Sequence, residues 1–281
     1  MTATRFTALR DVDGDAARGS AGFVFGPSKG VSSWPLPRPA TLMWGWTPSG
    51  FDLDGNDITA WHDAMGLWAP TPLSSTRRPS IATIDGVRVA SHDGVDEFVC
   101  DAAATPWTAT KGEVWLVAKP GTQTKLFPTL LGCSGAAPGV GDTHTFQLYM
   151  DTGASPYKLW LLVGLAADAT RGYVRTTNDV LTAGTTHVIR VLSTDTAYQI
   201  WVDGSNKALT TVVQNNGKWF GDIGGYDSVA LASYRYNDGT LSDAANPYKG
   251  EIGFFCVFEG INLTTDQAAL LLAQLQRIFG L

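Results

Sequence analysis

Charge is scarce in this chain of 281 residues: only 16% of it is Asp, Glu, Lys or Arg, against 44% hydrophobic residues. That balance argues against a disordered chain, because so much apolar side chain collapses into a core. Glutamate is scarcer still. It occurs only at Glu97, Glu113, Glu251 and Glu259, so every other acidic residue is Asp, which favours turns where Glu favours helices. The imbalance points to a loop-rich β protein. Lys and Arg are scattered and the net charge is −6, which leaves no basic footprint for nucleic acid. No run reaches the roughly 18 apolar residues of a membrane span, and residues 1–15 carry no apolar signal-peptide core. We therefore expect a soluble protein made in a reducing cytoplasm, with no nucleic-acid partner and no membrane insertion. The three cysteines, Cys100, Cys133 and Cys256, lack Cys-x-x-Cys spacing, so buried free thiols are expected rather than bridges or a metal site.

Paired catalytic groups are missing too. A retaining glycoside hydrolase needs two carboxylates facing across a cleft, and no Glu-x-Asp-x-x-Glu arrangement exists. Asp93, Asp96 and Glu97 are the nearest cluster, and their spacing suits a turn and an edge. His62, His92, His144 and His187 are isolated, without the spacing of metal ligands. Gly26-Pro27-Ser28-Lys29-Gly30 spells a nucleophile elbow, but Pro35, Pro37 and Pro39 forbid the helix that must follow. The expectation is a protein that is not an enzyme.

What is present is strand pattern. From Thr186 to Val213, three β-rich runs are joined by Ser193 to Ala197 and by Asp203-Gly204, the latter suited to a tight turn with positive φ at both central residues. An antiparallel meander is expected there, with its Thr, Gln and Arg side chains on the solvent face. Phe146 to Met150 and Lys158 to Val163 suggest another hairpin. At the C-terminus, Thr264-Thr265-Asp266-Gln267 forms a capping box, and Leu271, Leu272, Leu275, Ile278 and Phe279 make one apolar helical face that ends at Gly280.

Two acidic stretches imitate calcium loops. Asp11, Asp13 and Asp15 lack the acidic twelfth ligand, because Gly22 stands there. Asp52, Asp54, Asn56 and Asp63 occupy positions 1, 3, 5 and 12, but Asp57 replaces the required Gly. These four are weak candidate ligands. No cofactor is expected and calcium is not required.

Several ordered motifs together resemble a known family. Trp61 and Asp63, then Arg78-Pro79, then Asp93-Gly94-Val95-Asp96-Glu97-Phe98, then Ile200-Trp201-Val202-Asp203-Gly204 and Tyr248-Lys249-Gly250-Glu251-Ile252-Gly253 are similar to the laminin-G-like, concanavalin A-like lectin and glucanase jelly rolls. His92 stands where that family often has Phe. The resemblance spans roughly residues 41 to 281. It implies a two-sheet antiparallel jelly roll with a C-terminal α-helix, and it resembles sandwiches of tailed-bacteriophage virion proteins.

The expected organisation is an irregular N-terminal arm, residues 1–38, followed by one sandwich domain, residues 39–281. Phe23, Phe25 and Trp34 are the arm's candidate anchors for docking onto other virion proteins or copies of the chain. The Trp219 to Tyr248 stretch is the candidate ligand site, with Trp219, Tyr226, Tyr234, Tyr236 and Asp238 in a Gly-, Asn- and Asp-rich loop. Its rings suit packing beneath the loop, a protein contact, or stacking on sugars. The resemblance implies a non-catalytic virion surface module, on a capsid, fibre or tail, located in the virion. The alternative is a glycan-binding module of a surface adhesin that contacts cell-surface glycans, and a glycoside hydrolase is the remote one.

Overall fold

A computed structural model describes residues 41–44, 51–62, 70–72, 74–95, 98–101, 107–125, 127–135, 144–151, 155–164, 169–223, 228–233 and 246–281. Their strands form two antiparallel sheets, the two layers of a jelly-roll sandwich, followed by one α-helix. Sheet A contains β1 (Thr41–Trp44), β2 (Phe51–Asp54), β3 (Asp57–Trp61), β4 (Ser80–Ile84), β5 (Val87–Asp93), β7 (Gly112–Pro120), β12 (His187–Ser193), β13 (Tyr198–Val202), β14 (Ser205–Lys207) and β17 (Lys249–Glu259). Sheet B contains β6 (Phe98–Asp101), β8 (Thr129–Gly135), β9 (His144–Met150), β10 (Leu159–Gly164), β11 (Gly172–Thr176), β15 (Leu209–Thr211) and β16 (Ser228–Leu231). The first sheet runs β14-β13-β12-β7-β17-β5-β4-β3-β2 with β1 also on β17, and the second runs β15-β11-β10-β9-β8-β16-β6.

The turns that organise these strands obey local chemistry. Asp203 (φ 53) and Gly204 (φ 78) link β13 to β14, and Asp85 (φ 48) and Gly86 (φ 77) link β4 to β5, the paired positive angles of a primed hairpin turn. Gly204 is fixed by contact as well as by angle, since a Cβ there would lie 2.6 Å from Leu272 of the C-terminal helix. The expected meander forms in its first two strands. Its last run divides: Ser205–Lys207 stays in sheet A, whereas Leu209–Thr211 crosses to pair with β11 in sheet B. The predicted hairpin of β9 and β10 also forms, with Leu161 opposite Leu148.

Two apolar layers result, and sheet A takes part in both. Its inner face meets sheet B through residues such as Leu116, Ile189, Phe255, Leu148 and Phe146. His92 fills the place of a core aromatic, edge-on to Phe98 at 5.7 Å and to Tyr248 at 6.3 Å. The outer face packs Trp115, Val117, Val188, Phe254 and Phe258 against the helix α1 (Thr265–Phe279). Burial on both faces explains why Gly112–Pro120 and His187–Ser193 read as nearly continuous apolar runs instead of alternating ones. The helix forms as its sequence predicts. Thr264 and Gln267 close the capping box, Leu271, Leu275, Ile278 and Phe279 are buried, and Gly280 ends the helix in the left-handed conformation.

One expectation about polar residues is overturned. Arg190 does not face solvent. It lies on the outer face of β12, which α1 covers, and is only 8% exposed. Its Nε donates to Glu113 Oε2 at 2.8 Å, and Nη2 donates to the same oxygen. Glu113, fully buried, accepts further hydrogen bonds from Trp115 Nε1 (3.0 Å) and the Leu263 backbone N–H (3.3 Å). Burial pushes the Glu113 carboxyl up from its ordinary value, and the Arg190 guanidinium and these donors oppose that rise. The pair anchors Leu263, two residues before the helix, to the centre of the sheet. Removing one partner strands the other charge, so Glu113→Ala should lower stability by about 3–5 kcal/mol. Glu113→Leu combined with Arg190→Met should be less destabilised than Glu113→Ala. Urea unfolding midpoints of the three proteins measure this.

Candidate ligand-binding face

The loop residues singled out by sequence do not assemble into a described site. Tyr226, Tyr234, Tyr236 and Asp238 lie outside the described residues, as do the arm anchors Phe23, Phe25 and Trp34 and the candidate ligand Asp63. Trp219 is described, and its expected place on a ligand surface is corrected. Its ring is fully buried between the sheets, 5.2 Å from Phe146 and 5.0 Å from Phe220, so no sugar can stack on it. Tyr248, at the far end of the same stretch, is also fully buried. The remaining calcium candidates are engaged by neighbouring side chains or built into a turn. Asp54 Oδ2 accepts from Arg78 Nη1 at 2.6 Å, Asp52 Oδ2 lies 2.9 Å from His62 Nε2, and Asn56 follows Gly55 in the β2–β3 turn. Among the described residues, no three His, Cys, Asp or Glu side chains gather as a metal site.

A different aromatic cluster stands on the outer face of sheet B. Strand pairing puts Arg175, Trp160, Tyr149 and Thr129 in one row across β11, β10, β9 and β8. The next row holds Tyr173, Leu162, Gln147, Gly132 and Ala230. Alternation sends Leu161, Leu148 and Val174 inward and these residues outward. Tyr149 stacks beside Trp160 with centroids 5.8 Å apart and planes 15° apart, and Trp160 lies 5.5 Å from Tyr173. The exposed Phe127 meets Tyr149 edge-on. On the β8 and β16 side of the face Thr129, Gln147, Gly132 and Ala230 are all buried, so its accessible part lies over β10 and β11. Trp160 and Tyr173 stay half-buried, whereas the corresponding face of sheet A is closed by α1.

The polar groups of this face are only partly paired. The Arg175 guanidinium lies over Trp160 at 4.8 Å, and Arg171 lies over Tyr173 at 5.7 Å. No described carboxylate pairs with Arg175, and its Nε and the Trp160 Nε1 are sealed from solvent without hydrogen-bond partners. The Tyr149 and Tyr173 hydroxyls are 2.7 Å apart. Burial, reinforced by that hydrogen bond, pushes the Tyr149 phenol upward, so it stays neutral at neutral pH. One hydroxyl of the pair must donate to the other, which leaves one O–H free for a ligand. Gln147 Nε2 donates to Thr129 Oγ1 at 2.8 Å, and both residues are buried.

Two other titratable groups invite a catalytic reading, and their geometry assigns them to structure. His187 Nδ1 meets Asp203 Oδ2 at 2.7 Å, as in a hydrolase dyad, but Nε2 accepts the Thr182 N–H at 3.0 Å and cannot take a proton from a nucleophile. The dyad ties the Asp203-Gly204 turn to the segment before β12. Glu259, at the end of β17, accepts from the Thr108 and Ala109 backbone N–H groups at 2.8 and 2.7 Å, both at Oε2. Burial raises its carboxyl to about 7 in spite of those bonds.

Comparison with known proteins places the fold. No family model matches the chain, and no curated protein matches its sequence. Among solved structures it is similar to the Ruminococcus gnavus IT-sialidase CBM40 bound to α2,3-sialyllactose, at 16% identity over 65% of this chain and 95% of that one, with a TM-score of 0.51. The same domain alone gives a TM-score of 0.52 over the same shares. The leech intramolecular trans-sialidase complexed with 2,7-anhydro-Neu5Ac is similar at 13% identity over 64% of this chain and 26% of that one, with a TM-score of 0.51. At these identities the likeness is one of fold alone, a two-sheet β-sandwich.

The Glu259 carboxyl should leave a mark on stability. Its folded value of about 7 exceeds the ordinary 4.5, so its contribution is fully present below pH 4.5 and is lost as pH rises to 7. Glu259→Gln keeps an oxygen for the two backbone donors and cannot ionise. Thermal melting should show the variant above the parent at pH 8 and level with it near pH 4.5.

Proposed function

We propose that this chain is a non-catalytic glycan-binding module whose ligand lies on the outer face of sheet B and carries an acidic sugar. The observation that carries this reading is the pair of half-buried rings Trp160 and Tyr173, backed by the buried Tyr149, with Arg175, which no described carboxylate pairs, lying over Trp160. Aromatic rings offer an apolar wall to the C–H faces of a sugar, and the tyrosine hydroxyl pair offers hydrogen bonds to its hydroxyls. A guanidinium without an acid partner favours a carboxylate or sulfate, which it can grip with two N–H groups. The sialyllactose bound by the R. gnavus CBM40 domain is an acidic glycan, which supports that choice.

The sequence resemblance to virion sandwiches supports a setting for the module. We carry it as a second proposal: the domain sits on a tailed-phage particle, docked through Phe23, Phe25 and Trp34 to other virion proteins or to copies of itself, and its sheet B face meets sugars of the host surface. The fold likeness gives more weight to sugar contact than to protein contact as the main role of that face.

Calorimetric titration with 3′-sialyllactose and with lactose tests the binding reading. The parent should prefer sialyllactose. Trp160→Ala should weaken both sugars roughly tenfold or more, because it removes the central ring. Arg175→Gln should bring sialyllactose down to the level of lactose, a loss of about 1.5–3 kcal/mol for a charge-assisted hydrogen bond. Equal binding of both sugars by the parent, or no effect of Trp160→Ala, counts against this face.

A further inference from the structure

Among the described residues, positive φ outside glycine falls mostly on Asp and Asn, which tolerate it, but Phe127 also adopts it, at 56°. For a bulky aromatic that angle is strained, and Pro128, which follows, favours an extended backbone instead. Bonds to the sheet hold the strain in place. Thr129 Oγ1 donates to the Phe127 carbonyl at 3.0 Å and accepts from Gln147 Nε2 at 2.8 Å, and the Met150 N–H donates to the Pro128 carbonyl at 3.0 Å. Between Thr129 and Leu131, β8 bulges against β9, a device that re-aims side chains beside a site.

The strain does not bury the ring, because Phe127 is 45% exposed. A single exposed apolar residue is ordinary, whereas a backbone strained to present one to water gains nothing from core packing and points to a ligand. Phe127 meets Tyr149 edge-on at 5.5 Å, and Trp160 stacks on Tyr149 at 5.8 Å, so an exposed ring and a half-buried one flank one buried ring. The order Arg175, Trp160, Tyr149, Phe127 runs across β11, β10 and β9 to the segment that enters β8. A guanidinium stands at one end of that line, over Trp160, and a bare ring at the other. The first end suits an acidic sugar, and the second suits the C–H face of a neutral one.

We propose that Phe127 forms a second sugar subsite, which receives a neutral sugar linked to the acidic one at Trp160 and Arg175, so that the face prefers an acidic oligosaccharide to an acidic monosaccharide. The inference rests on the glycan reading of this face. Calorimetry on the full chain with 3′-sialyllactose and with the methyl α-glycoside of N-acetylneuraminic acid, which lacks the neutral sugars, tests it. The parent should bind the trisaccharide roughly fivefold or more tightly than the glycoside. Phe127→Gly and Phe127→Ala should each erase that margin and leave the glycoside unchanged, and Phe127→Tyr should keep it. Phe127→Gly should also melt above Phe127→Ala, because glycine takes a positive φ without strain. Equal binding of the two ligands by the parent, a full margin in Phe127→Gly, or Phe127→Ala melting as high as Phe127→Gly would overturn the subsite and leave the glycan reading standing. A parent that binds neither ligand overturns the glycan reading, and the subsite with it.

Discussion

The central strands of sheet A are buried on both faces, and that constraint decides much of where the molecule can meet anything else. Its inner face builds the sandwich core with sheet B, and α1 seals its outer face. The central strands must then be apolar throughout, and any charge placed on them needs a partner on the spot. Glu113 and Arg190 are that case. An apolar pair in their place would serve stability as well or better. What the ion pair adds is a fixed attachment for Leu263 and hence for the start of the helix. No helix of the described residues packs on sheet B, and over β10 and β11 its outer face keeps half-buried aromatic residues in positions where a sheet open to water on one side normally carries polar ones.

The sequence announced the elements that depend on local rules. Asp203-Gly204, the Thr264 to Gln267 capping box and Gly280 each encode a backbone angle or a hydrogen bond within a few residues, and each appears in the structure as read. Arg190 was misread because its environment is made by the helix 73 residues later, where it reaches the Leu263 carbonyl. Trp219 was misread for a related reason: polar neighbours in sequence suggested a surface loop, but the ring drops between the sheets onto Phe146. Composition along a segment does not say which side of the chain faces the core.

The candidate face on sheet B was legible in principle, though not from spacing along the chain. Tyr149, Trp160, Tyr173 and Arg175 lie on strands whose alternate residues, Leu148, Leu161 and Val174, are the obvious core set. The signal is that the positions between them, which ordinarily take small polar residues, hold three large rings and a guanidinium. Reading it requires the register, because the rings become neighbours only when β9, β10 and β11 pair as they do. Spacing along the chain, the only ruler available to the sequence, separates Tyr149 from Tyr173 by a long stretch, whereas their hydroxyls are 2.7 Å apart.

The central claim is that sugars bind on sheet B and not on the helix side. A 1H–15N spectrum of the labelled protein, followed during titration with 3′-sialyllactose, tests this directly, because each indole N–H reports its own surroundings. The account predicts that the Trp160 indole and the backbone amides of β9, β10 and β11 shift together in a saturable way, while the Trp201 indole beneath α1 does not move. Shifts confined to Trp201 and its neighbours, or an unmoved Trp160 signal at saturating sugar, would contradict it.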